Sequence, residues 1–151
     1  MGAFEVIHKN KNNEIIKIEK LRPNLITDAG LNLLRDALKG EVTDIEIKYV
    51  ALGSNSTAPA VDQTILISEE FRKEVTEQIN DPLTAGKLYT EVYIADAEAN
   101  DFEINEIGWF AGSATSSTIN TGTLIARVLY NFQKDNATSM IIRRVDTFKR
   151  G

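Results

Sequence analysis

Asp44-Ile-Glu-Ile-Lys-Tyr-Val-Ala-Leu52 begins as a strict alternation and ends without one. Ile45, Ile47, Tyr49 and Ala51 fall on one side of an extended chain, with Glu46 and Lys48 on the other. A two-residue period of this kind marks a strand with one wet face. At Val50 and Leu52 the wet side turns apolar too, so the far end of this strand is predicted to be buried on both faces. A strand covered on both sides needs a second layer of chain, which points to stacked sheets.

The rest of the chain extends that expectation. Lys87–Ile94 alternates well, and residues 3–8 and 13–20 predict a hairpin through the polar turn Lys9-Asn10-Lys11-Asn12-Asn13. Residues 71–79, 105–111, 123–132 and 138–149 add further strands, separated by Asn80-Asp81-Pro82, Gly86 and Lys134-Asp135-Asn136. Asp62–Leu66 is read as one helical turn, and 112–122, rich in Ser and Thr, as a flexible loop. One helix is predicted over 28–39. Thr27 or Asp28 caps it, Leu31, Leu34 and Leu38 form its apolar stripe, Leu33 and Ala37 widen that stripe, and Gly40 ends it. The prediction is a mainly β fold of about eight strands with one α-helix, an antiparallel β-sandwich or jelly-roll-like barrel, in a single domain over 1–151.

Composition narrows the function. The 151 residues are 42% hydrophobic and 26% charged, a balance that folds. A net charge of −5 argues against a broad nucleic-acid footprint. Without cysteine there are no disulfides, no thiolate nucleophile and no cysteine-bound metal. The start has no secretion-signal pattern, Val6 stands where myristoylation wants Ser or Thr, and no apolar run is long enough for membrane insertion.

Catalytic signatures are missing. His8 is the sole histidine, read as a partly exposed strand residue, and no Gly-x-Ser-x-Gly accompanies it. Gly108, Gly112 and Gly122 do not form a phosphate-cradling loop. Asp96, Glu98 and Asn100 have the spacing of a calcium loop, but its sixth and twelfth positions are Asp101 and Ile107, so the match fails. No catalytic, cofactor-binding or metal-ligating residue is assigned, and no cofactor is expected. Trp109, in Ile107-Gly108-Trp109-Phe110, is assigned to core packing or a subunit interface ahead of a sugar platform. Arg143 and Arg144 open a basic last segment, read as a guarded strand edge or an ion-pairing tail.

Two stretches carry a resemblance. The first is Asn24-Leu-Ile-Thr-Asp-Ala-Gly-Leu-Asn-Leu-Leu-Arg-Asp-Ala-Leu38, followed by Ile47-Lys-Tyr-Val-Ala-Leu-Gly-Ser-Asn-Ser-Thr-Ala-Pro59 and Phe71-Arg-Lys73. The second is Asp101-Phe-Glu-Ile-Asn-Glu-Ile-Gly-Trp-Phe-Ala111 with Gly122-Thr-Leu-Ile-Ala-Arg127. In order and spacing they resemble the tail-collar, tail-fibre and baseplate-associated proteins of phages and phage-tail-like particles. Ser54-Asn55-Ser56 departs from that pattern's glycine-bearing turn, and Trp109 from its leucine.

The resemblance implies a structural subunit of a tail and not an enzyme. Such a subunit acts by self-association, with a trimer favoured, and by docking to other tail or baseplate proteins. It would be assembled in the bacterial cytoplasm into a virion or tailocin. A carbohydrate- or receptor-binding module that takes a host-surface glycan is the alternative. Strand edges and the patch of Glu106, Ile107, Gly108, Trp109 and Phe110 are the expected self-interface, and the N-terminal hairpin or the basic C-terminal strand with Arg143 and Arg144 is the expected anchor to the tail.

Overall fold

The computed structural model describes residues 2–22 and 24–150. Among them the elements run β1 (Gly2–Lys9), β2 (Ile15–Leu21), β3 (Asn24–Ile26), α1 (Asp28–Leu38), β4 (Ile47–Gly53), β5 (Glu69–Glu74), β6 (Glu77–Asn80), β7 (Lys87–Ile94), β8 (Glu103–Ala111), β9 (Thr123–Gln133) and β10 (Ser139–Thr147). The strands form two five-stranded sheets, β2-β1-β10-β7-β6 and β3-β9-β8-β4-β5, and every pairing is antiparallel. Each sheet keeps two edges, so the fold is a sandwich and not a closed barrel.

The core lies between the sheets. Phe4, Val6, Val92, Ile94, Met140 and Ile142 face Val50, Leu52, Ile107, Trp109, Ala126 and Val128. A second apolar cluster of Ala51, Leu66, Phe110 and Leu124 sits on the other side of the β3-β9-β8-β4-β5 sheet, beneath the loops that cross it. That sheet is therefore covered on both faces. Val50, Ala51 and Leu52 are all fully buried, as the lost alternation at that point predicts.

The helix has the predicted start and turns a different side inward. Thr27 is the N-cap and accepts a hydrogen bond from Gly30 N at 3.0 Å. Gly40, at φ +76, takes the left-handed turn after the last helical residues. A Cβ on Gly30 would lie 2.7 Å from the carbonyl oxygen of Ile125, so glycine lets the helix backbone rest on β9. That contact fixes the rotation of the helix. Leu33 packs on the core, whereas Leu31, Leu34 and Leu38, the expected inward stripe, are 53%, 44% and 91% exposed.

Three connections also differ from the sequence expectation. The strand predicted over 71–79 is two strands in different sheets. Val75 N donates to Lys48 O of β4 and Thr76 N to Glu91 O of β7, both at 2.8 Å. The chain switches sheets between adjacent extended residues, with no glycine or proline to announce it. Asp62–Leu66 is not helical. It descends from a turn so that Leu66 can plug the second cluster. The loop over 112–122 is tied to the sheet rather than free, as described below.

Candidate functional site

The residues that carry the family resemblance meet at one place. Glu106 on β8 and Arg127 on β9 form an ion pair at 2.7 Å, and both side chains are wholly buried. The Glu106 carboxylate also accepts from Ile67 N at 3.2 Å and Ser68 N at 2.8 Å. Arg127 donates to Thr57 O at 2.8 Å. One pair therefore fastens both ends of the long loop between β4 and β5. Glycines make room for it. A Cβ on Gly53 would come within 2.5 Å of Glu106 Oε1, and one on Gly108 within 2.7 Å of Leu66.

A second pair holds the neighbouring loop. Arg72 on β5 bonds Glu69 at 2.6 and 3.0 Å, with both side chains essentially buried. Its remaining guanidinium nitrogen donates to Ser116 O and Thr121 O, and Asn120 N donates to Glu69 at 3.1 Å. The guanidinium lies 4.2 Å from the centroid of the Phe110 ring. These contacts bind 112–122 within the subunit, which a serine- and threonine-rich sequence does not announce.

The patch expected at the self-interface lies inside this construction. Glu106, Ile107, Gly108, Trp109 and Phe110 are buried within the subunit and present no surface to a partner in this conformation. Trp109 faces the inter-sheet core, with its ring 6.3 Å from that of Phe4, and Phe110 faces the outer cluster. The indole is thus no platform for a sugar either.

The basic segment is also committed internally. β10 runs in the middle of its sheet, between β1 and β7, and is not an edge. Arg143 sits between Glu91 at 2.6 Å and Glu5 at 3.3 Å. Arg144 is gripped by both oxygens of Asp146, at 2.7 and 2.8 Å. It borders an apolar cleft of about 330 Å³ between α1 and the strand ends, and its Nη1 has no hydrogen-bond partner within the protein.

His8 is buried rather than partly exposed. It lies 2.8 Å from Glu19 and 3.0 Å from the Tyr130 hydroxyl, which itself donates to Glu19 at 2.6 Å. This cluster clips edge strand β2 to β9 across the sandwich. Burial alone would raise the Glu19 pKa, but hydrogen bonds from Lys17, Tyr130 and His8 outweigh it and hold it at about 2 against an ordinary 4.5. Burial and the bond to Glu19 push Tyr130 up. Asp81 is likewise held at about 2, chiefly by the Leu83 backbone N–H and by Tyr89 and Lys87.

A carboxylate with a lowered folded pKa stabilises the fold above its unfolded value, and that contribution disappears as pH falls through the folded value. The thermal midpoint is therefore expected to fall as pH drops from about 4.5 toward 2, and Glu19→Gln to flatten the fall. A thermal melt at each pH checks both.

The calcium-like stretch is served by a lysine. Lys134 Nζ, almost fully buried, donates to Asp96 O at 2.7 Å, Asn100 Oδ1 at 2.9 Å and Asp135 O at 3.1 Å. Glu98 is turned away to pair with Lys73. Among the described residues no cluster of three or more histidine or acidic side chains could hold a metal ion.

The outer face of the β2-β1-β10-β7-β6 sheet, with Ile18 and Tyr93 partly exposed on it, is open, as is the outer side of α1. No curated protein and no solved structure matches the chain. A family model does match, over residues 22–143, and its description is phage tail-collar fibre protein, N-terminal. The matched span holds Gly53, Glu106, Gly108 and Arg127, which lock the β4–β5 loop onto the sandwich, and by that match the chain belongs to the phage tail-collar fibre protein family.

Proposed function

We propose that this chain is a docking unit of a phage-type tail, working through self-association and fixed contacts with collar or baseplate neighbours. The family makes it a structural, virion-associated tail-fibre component. The proposal adds how it acts. The supporting observation is the unequal treatment of the two sheets. One has both faces covered by its own chain, whereas the outer face of the other carries Ile18 and Tyr93, both partly exposed, with the Lys73 ammonium 5.8 Å from the Tyr93 ring. Apolar surface left uncovered on an otherwise well-satisfied fold marks a contact face. The charged groups of the motifs are spent on internal pairs, so the fold offers rigidity and surface rather than reacting groups.

Immunogold electron microscopy of particles, with antibody against this chain, tests the location. Label at the collar or distal end of the tail is expected. Unlabelled tails, with the epitope shown to be accessible, would refute the tail role and return the glycan-binding alternative to the front.

A further inference from the structure

Two strands end the β2-β1-β10-β7-β6 sheet, and each pairs on one side only, β2 with β1 and β6 with β7. An edge strand presents unpaired backbone N–H and C=O groups to any strand laid beside it. The side chains at these two edges are opposite in charge. At β2, Lys20 and Arg22 are exposed, and among the described residues neither has an ion pair. At β6, Glu46, Glu74 and Glu77 line a groove between that strand and the start of β4. All three are exposed and likewise without an ion pair. Lys48, in the same groove, is already taken by Asp44 at 2.6 Å.

The register sets these charges level. Antiparallel partners share a row, so Lys20, Glu5, Arg143, Glu91 and Glu77 lie in line from one edge to the other. Arg143 holds both Glu5 and Glu91. A lysine is left at one end of the row and a glutamate at the other. Glu77 also stands directly opposite Glu91, a like-charge pair that costs stability until a cation answers it.

We propose that β6 of one copy pairs with β2 of the next, head to tail, about an axis parallel to the strands. The inference rests on the self-association proposed above and names its surface. Four antiparallel pairings separate β2 from β6, so the two run in the same direction. Rotation about such an axis keeps that direction. The new pair is therefore parallel, and the row continues with Glu77 beside Lys20 of the partner subunit. A two-fold contact has no such match. Pairing β2 with β2 gathers cations, and pairing β6 with β6 gathers glutamates. A parallel pair is slightly weaker per residue than an antiparallel one, so the charge match selects the partner edge.

A head-to-tail contact closes with three copies at the least. Five strands at about 4.8 Å span about 24 Å, so three sheets joined edge to edge leave about 7 Å from each wall to the axis, room for one layer of side chains. The second sheet and α1 therefore lie outside, and the face with Ile18 and Tyr93 turns to the axis. The trimer expected from the family resemblance is the smallest ring that this contact allows.

The test is a charge exchange between the two edges, read by native mass spectrometry and by light scattering of the full chain over a concentration series. The wild type is expected to be a trimer. Lys20→Glu and Glu77→Lys, each alone, are expected to weaken it by about tenfold or more. Combined in one chain they are expected to restore it, because the two residues meet only between copies. Within one chain they lie four strands apart, about 19 Å, too far to pair.

Circular dichroism and the thermal midpoint confirm that each variant is folded, and Glu46→Lys, outside both edge strands, gives an independent weakening variant if either fails. A wild-type monomer at high concentration overturns the proposal, and so does a two-fold dimer. A trimeric mass indifferent to the substitutions, or a double variant no tighter than the weaker single, refutes the edge pairing and leaves self-association standing. Tail labelling reports where the chain sits and the mass reports how copies pair, so the two proposals fail separately.

Discussion

Glu106→Ala is expected to lower the unfolding free energy by about 3–5 kcal/mol, because it leaves a buried guanidinium without its counter-charge. Arg127 has no route to solvent from its position on β9. The same substitution removes the acceptor for Ile67 N and Ser68 N, so the β4–β5 loop loses its anchor with the ion pair. For a domain whose whole stability is about 5–15 kcal/mol, this is a large share.

Urea denaturation measures the loss, and hydrogen exchange at the Ile67 and Ser68 amides reports whether the loop loosens first. Glu106→Gln keeps an acceptor oxygen and is expected to cost less. Replacing both partners with methionine is expected to recover much of the loss, since two apolar side chains demand no counter-charge. An effect of Glu106→Ala below about 1 kcal/mol would mean that the loop is held by Leu66 and the glycine contacts alone.

Trp109→Ala is the second large effect, again about 3–5 kcal/mol. The indole fills the space between the sheets against Phe4, and alanine would leave a cavity that two paired sheets cannot collapse to fill. The indole Nε1 makes no hydrogen bond within the protein, so Trp109→Phe forfeits volume but no polar partner. It is expected to cost well under half as much, and thermal denaturation of the two variants side by side gives the ratio. A sugar-platform tryptophan would behave in the opposite way, with the fold intact after Trp109→Ala and binding lost. Stability near wild type for Trp109→Ala would refute the interior role.

Local chemistry was legible from residues alone. A cap at Thr27 or Asp28 and a glycine stop at Gly40 predict the helix ends, which fall at Asp28 and Leu38 with Thr27 as the cap. Period-two alternation predicts β7, and its loss at Val50–Leu52 predicts a strand covered on both faces. The first hairpin follows from two alternating runs around a polar turn. Each of these depends on neighbours within a few residues, so the sequence displays it directly. The family resemblance was legible too, because Glu106, Gly108 and Arg127 keep a fixed order and spacing along the chain.

What those motif residues do was not legible. The partners of Glu106 are 21, 38 and 39 residues away, and no local pattern distinguishes a carboxylate that meets a guanidinium in the interior from one that meets water. The apolar string at 107–110 reads equally well as an interface or a core, and only the loop folded over it decides for the core. The helix shows the same limit. Three leucines outweigh one glycine in any count of apolar stripes, yet the approach of Gly30 to the β9 backbone sets which side lies down. The sheet switch at Val75–Thr76 leaves no mark because both residues stay extended and only their hydrogen-bond partners change. The sequence by itself determined most of the elements, the strand-rich class and the family, all properties of adjacent or regularly spaced residues. Tertiary structure alone decided which apolar surface is spent inside and which sheet face stays open, because burial depends on what the rest of the chain brings over each residue.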